Sequence, residues 1–241
     1  MIKGGLQYIV SLAEAKIHEI NGDNYSDKPL HRIEPYIPKA NAIEMCTLSS
    51  LVDYIKSNTD EMDEKMILHV VSPEEVRFYS MLDTNRDREN IAVVYAKIPS
   101  FKFGQFIDHE TFCINVQSKF IDDPESDKAL ILKFAGTVES GSVAEYGDDG
   151  VTQKATVKNG IASKTDAVVP NPVKLRPFRT FIEVAQPASD FIFRMKQDKY
   201  DGITCAIFEA DGGAWKNAAM KNIKEYLEFE LNGCENITVI S

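Results

Sequence analysis

Residues 208–223 read FEADGGAWKNAAMKNI, and how this run folds decides the class of the whole chain. GITCAIFEA (202–210) leads into it, short and rich in β-branched and aromatic residues, the composition of a strand. Beyond it Trp215, Ala219, Ile223, Tyr226 and Leu227 recur at helical spacing as far as Asn232. The Gly212-Gly213 pair punctuates the change from one period to the other. Asn232-Gly233 supplies a helix stop, and NITVIS after it reads as a terminal strand. The run is therefore a strand handing over to a long C-terminal helix.

On the N-terminal side of this run, VKLRPFRTFIEV (173–184) and DFIFRMK (190–196) read as two further strands. MILHVV (66–71), VRFYSML (76–82) and NIAVVYAKI (90–98) read as an antiparallel meander. A helix is predicted from Thr47–Ser50 through Ile55 and another over 109–121, where Phe112, Val116 and Phe120 share a face. A third is predicted over Asp127–Val138. The acid-rich TDEMDE (59–64) is a solvated loop. Residues 140–172 change character: GDDG (147–150) and KNG (158–160) are turn signals around the alternating VTQKATV. That stretch is expected to form a glycine-rich protruding hairpin or arm. Residues 5–20 place Leu6, Ile9, Val10, Ala13, Ile17 and Ile20 on one helical stripe, facing either the core or an oligomer partner. An extended, proline-bearing connector follows to about residue 45. The order of elements lacks a regular β-α alternation, so the expected class is α+β: a mixed or antiparallel sheet with flanking helices, in a single domain over 1–241.

The chain has 241 residues and a net charge of −10, which disfavours a broad non-specific binder of duplex phosphates. No apolar run approaches the roughly 18 residues of a membrane span. The N-terminal apolar residues are broken by Glu14, Lys16 and Glu19, unlike a signal peptide. Cytoplasmic residence is the expectation. The four cysteines and four histidines form no CxxC, HxxxH or HExxH spacing, so neither a disulfide framework nor a local zinc site is indicated. No GxSxG or P-loop spacing occurs. No catalytic residue and no cofactor is assigned.

Two features carry chemistry. In FEADGGAWK, Glu209 and Asp211 would share a face of an extended strand. Three readings stay open. Asp211 caps the helix while the glycines ease the turn; or Glu209 and Asp211 hold a divalent cation with Lys216 beside them; or the Gly-Gly helix start binds an anion, against the repulsion of the two carboxylates. The second feature is RPFRTFIEVAQPASDFIFR (176–194), where Arg176, Arg179 and Arg194 interleave with Phe178, Phe181, Phe191 and Phe193. Residues 172–200 carry six basic and three acidic side chains, a local +3 that leaves −13 for the remainder of the −10 chain. Such interleaving suits a nucleotide or single-stranded nucleic acid, by stacking plus phosphate contact. The alternative is a pair of amphipathic strands with Phe inward and Arg outward. The candidate ligand-binding set is Arg176, Arg179, Arg194, Gly212, Gly213, Trp215 and Lys216, with Glu209 and Asp211 as weak metal candidates.

The runs PVKLRPFRTFIEVAQPASDFIFR (172–194) and IFEADGGAWKNAAMKNIKEYL (207–227), with GDDGVTQKATVKNG (147–160) ahead of them, resemble the YfdQ-like family of phage and prophage proteins. The resemblance spans roughly residues 147–230. It implies a phage or prophage origin and a bacterial host cytoplasm. It implies no reaction, but members encoded among recombination and DNA-metabolism genes keep a nucleotide or nucleic-acid role in view. The positions shared with the family blocks are Arg176, Arg179, Glu183, Gln186, Arg194, Glu209, Asp211, Gly212, Gly213, Trp215 and Lys216. The expected function is a non-enzymatic, homo-oligomeric binding protein for a nucleotide-like ligand, a nucleic acid or a host protein. The alternatives are a metal-dependent phosphoesterase using Glu209 and Asp211, and an antagonist of host defence that sequesters a signalling nucleotide.

Overall fold

The structure is a computed structural model and describes residues 2–20, 22–28, 39–140, 142–148, 153–159, 163–169, 171–198 and 202–241. The chain forms two compact units, Met1–Lys39 and Ala40–Ser241. In the first, helix α1 (Ile2–Ala13) precedes a hairpin of β1 (Ile17–Ile20) and β2 (Asp23–Ser26). The helix expected over 5–20 thus stops at Ala13. The sequence signal for the hairpin is the Asn21-Gly22 dipeptide between two β-compatible runs, and Gly22 has a φ of +88°. The stripe on α1 is not buried: Leu6, Ile9 and Val10 are exposed, Ile9 to 65%.

The second unit holds two hydrophobic cores. The first lies on a five-stranded mixed sheet containing β3 (Ile43–Met45), β4 (Met66–Ser72), β5 (Glu75–Ser80) and β6 (Asn90–Tyr95). Between β3 and β4 runs α2 (Leu48–Ser57). The meander β4–β5–β6 is antiparallel as the alternation predicts, with Leu68, Val70, Val76 and Phe78 fully buried. α2 starts where Thr47 accepts the Ser50 amide, a local N-cap.

The second core begins with β7 (Ile107–Asp108), α3 (His109–Lys119) and α4 (Lys128–Ser140). A separate three-stranded antiparallel sheet follows, from β8 (Ser142–Asp148), β9 (Gln153–Asn159) and β10 (Ser163–Val169). It occupies the stretch expected as a hairpin or arm, while the GDDG and KNG turn tips extend outside the described residues. Next come β11 (Val173–Leu175), β12 (Ser189–Asp198) and β13 (Gly202–Glu209). They form an antiparallel sheet in the order β11-β12-β13-β7. Phe112 and Val116 of α3 and Ile131 of α4 cover it, against Phe191, Phe193 and Ile207.

The chain ends with α5 (Ala214–Glu230) and β14 (Ile237–Ile240). β14 pairs in parallel with β4, and β3 in parallel with β6, so the antiparallel meander gains a parallel strand on each side. Ala219, Ile223 and Leu227 of α5 are fully buried, the face that the sequence period selects. The α+β class is observed.

The strand expected over 173–184 ends at Leu175. Pro177 has no N–H to donate to a ladder, and residues 176–188 form an irregular loop with a single bridge, Phe120 to Pro177. The loop turns back into the first core, where Phe181 and Val184 are buried beside Leu51 and Ile223.

Candidate functional site

An irregular loop must find partners for its own amides and carbonyls when it is buried, and here Gln186 provides them. Its side-chain oxygen accepts from the backbone N–H of Arg179 (2.9 Å) and Thr180 (3.2 Å). Its amide donates to the carbonyls of Phe181 (2.8 Å) and Val184 (3.3 Å). Thr180 donates its hydroxyl to the Pro73 carbonyl, and the Phe178 amide donates to the Lys119 carbonyl at 3.0 Å. Glu183 accepts from the Leu48 amide at 2.8 Å and from the Ser49 hydroxyl at 3.2 Å, a cap for α2 from 135 residues away. The loop is thereby stitched to both cores, and Arg179 is held at its centre.

Arg179 is buried, 6% exposed. Its guanidinium carbon lies 4.0 Å from the Trp215 ring centroid, 5.4 Å from that of Phe191 and 6.0 Å from that of Phe103. A desolvated cation over an indole gains up to about 2 kcal/mol. Nη1 donates to Glu209 at 2.8 Å and Nη2 donates to Ser189. Burial pulls the proton affinity of Arg179 down, and the charges of Glu209 and Asp211 oppose it. Among the described residues, Nε of Arg179 and Nε1 of Trp215 are buried without a hydrogen-bond partner.

Trp215 stands at the start of α5, and its position follows from the turn before it. Gly212 and Gly213 have φ of +63° and +83°, in the left-handed region that glycine tolerates best. Asp211 accepts from the amides of Gly213 (3.0 Å) and Trp215 (3.3 Å). Burial pushes the Asp211 carboxyl up, but hydrogen bonding from Ser189 and from those two amides, with the charge of Arg179, outweighs it and holds the group below its ordinary range. Of the three readings of FEADGGAWK, helix capping is the one these contacts support.

These parts enclose a cleft of about 610 Å³, within the usual size of a small-molecule site. The β4–β5 turn at Pro73 and Glu74, the segment from Ile98 to Phe103, and Phe178 with Arg179 form its walls. Glu209, Trp215, Lys216 and Lys119 complete the lining. The surface is aromatic and proline-rich, with three cations and two carboxylates. Such a surface takes a flat ring against the aromatic side chains and an anionic group against the cations.

The candidate residues do not all converge. Arg179, Trp215 and Lys216 line the cleft. Arg176 pairs with Asp123 at 2.8 Å, and Arg194 sits on β12 with Nη1 donating to the Phe193 carbonyl at 3.2 Å. Neither lines the cleft. Gly212 and Gly213 set the backbone before Trp215 without lining it. The outward-Arg reading is corrected for Arg179, whose side chain turns in because Glu209, Ser189 and Trp215 receive it. Glu209 ends β13 and pairs with Arg179, while Asp211 lies past it and caps α5. Among the described residues, no three His, Cys, Asp or Glu side chains gather as a metal would require. Sequence reasoning missed Phe101, Phe103 and Lys119, which come from a loop and a helix end without a motif. Gln186 was marked only by the family block.

Fold and cleft together define an α+β protein with one buried cation in the wall of an aromatic cleft. No protein-family model, no curated protein and no solved structure matches the chain.

Proposed function

We propose that this chain is a non-enzymatic phage or prophage protein that binds a planar, anionic, nucleotide-like small molecule in the cleft and works as a homo-oligomer in the host cytoplasm. One observation carries the binding role: Arg179 is buried on Trp215 in the wall of an aromatic cleft, with a donor left unpartnered among the described residues. An unpaired buried donor costs about 1–3 kcal/mol, and apolar side chains in place of a buried ion pair are often as stable or more so. The fold tolerates this cost where a ligand recovers it. The exposed stripe on α1 supports the oligomer. No described helix is long and apolar enough to cross a membrane.

The test uses the chain's single tryptophan as a reporter. Mononucleotides and cyclic dinucleotides titrated against the protein should change Trp215 fluorescence at sub-millimolar concentration. Arg179→Met, which keeps the volume and the apolar contacts, should keep the fold and lose binding at least tenfold. Absence of any response from the native protein across that set, by fluorescence and by calorimetry, would refute the reading.

A further inference from the structure

The two carboxylates beside Arg179 are held in different ways. Asp211 is fixed by the Gly213 and Trp215 amides in the turn that starts α5. It lies outside the lining of the large cleft and lines a smaller cavity of about 310 Å³ that shares Trp215 as a wall. Glu209 does line the cleft. Its side chain is 42% exposed, and its one partner among the described residues is Nη1 of Arg179 at 2.8 Å. The contact is through a single oxygen, whereas a guanidinium fork is built to hold two. A half-exposed carboxylate with one bond is easily exchanged; a buried arginine inside an aromatic cage is not easily moved.

We propose that Glu209 is a resident anion: it occupies the oxyanion position of the cleft in the unliganded protein, and a ligand binds by exchanging its own carboxylate or phosphate oxygens for Glu209 on Arg179. This rests on the cleft being a ligand site. Exchange follows from charge. The charge of Asp211 also acts on Arg179, so a ligand anion that binds while Glu209 stays brings the negative groups around that guanidinium to three, which Lys119 and Lys216 elsewhere in the lining only partly offset. With Glu209 turned out to solvent the count returns to two, and Glu209 loses little because it is already half-hydrated. A neutral ring gains nothing from the exchange and leaves Glu209 in place. Glu209 therefore sets a threshold that only an anionic ligand crosses.

The experiment compares native protein with Glu209→Gln, using two probe pairs that share a ring and differ in the oxyanion: adenosine 5′-monophosphate with adenosine, and indole-3-acetate with indole. Affinity is read by calorimetry. Removing the competing charge should tighten the anionic probe roughly two- to fivefold, the range expected for a half-exposed pair, and leave its neutral counterpart unchanged. The pair that shows the effect tells whether phosphate or carboxylate is the preferred headgroup. Glu209→Asp keeps the charge but draws it back by one methylene, so it should tighten the anionic probe by a smaller factor; it serves if the glutamine variant does not fold. If native protein binds an anionic probe and no folded variant binds it more tightly, exchange is overturned while the cleft stands. If Glu209→Gln tightens neutral and anionic probes alike, Glu209 is a steric plug and exchange is again overturned. If none of the probes binds native or variant protein, the cleft reading falls and this inference with it.

Discussion

At the scale of single residues, the site is a set of choices about where each charge finds a partner. Arg176 and Arg179 differ by three positions, yet one meets Asp123 at a part-exposed ion pair and the other is enclosed by rings. Asp211 is the residue whose role is most open to measurement. Its folded-state proton affinity is lowered, so its contribution is fully present above the unfolded value and is lost as pH falls through the lower folded value. Asp211→Ala should cost about 1 kcal/mol at neutral pH, the usual worth of a lost helix cap. The difference between native and variant should shrink below about pH 4 as the native carboxylate protonates. Urea unfolding at pH 7 and at pH 3 checks this; a cost that is equal at both would mean that Asp211's charge is not what holds the turn.

At the scale of elements, the 176–188 loop carries Arg179 and is itself carried by Gln186. That side chain is buried and engages five backbone groups between Arg179 and Val184. Gln186→Glu keeps the acceptor oxygen but removes the donor to Phe181 and Val184 and buries a charge. It should destabilise by about 2–4 kcal/mol and weaken nucleotide binding by displacing Arg179, whereas a fold and affinity like the native protein's would show the loop to be held by its hydrophobic anchors alone. Denaturant unfolding together with the Trp215 titration reads both effects. The loop also explains why a strand was expected here. VKLRPFRTFIEV has strand composition throughout, but alternation is a local signal, and the partners that pull residues 176–188 off the sheet are Gln186, the Pro73 carbonyl and the α2 amides.

At the scale of the molecule, the described residues of both hydrophobic cores lie within residues 40–241. The first unit instead exposes Leu6, Ile9, Val10 and Leu12 on a short helix. If α1 is the oligomer seam, Leu6→Glu with Ile9→Glu should convert the native assembly to a monomer, with the melting temperature of the 40–241 unit unchanged. Light scattering on a sizing column measures the mass, and a native protein that is already monomeric at micromolar concentration removes the oligomer from the proposal. Much of the fold was legible locally. The periods of 66–95, of 109–119 and of 214–230 depend on which face of a short segment is apolar, and that is written in neighbouring residues. The candidate site was legible only in part: FEADGGAWK and RPFRTF mark Trp215 and Arg179 as unusual, but their meeting is a product of packing. Phe103, Lys119, Pro73 and Glu209 reach the same cleft from four separate elements, and no local pattern encodes that approach. Periodicity, capping and glycine backbone freedom act over a few residues, so the α+β class and the turn that starts α5 are written in neighbouring side chains. Which arginine is buried and which carboxylate it meets came from the packed fold, because burial and charge pairing depend on groups brought together from distant parts of the chain.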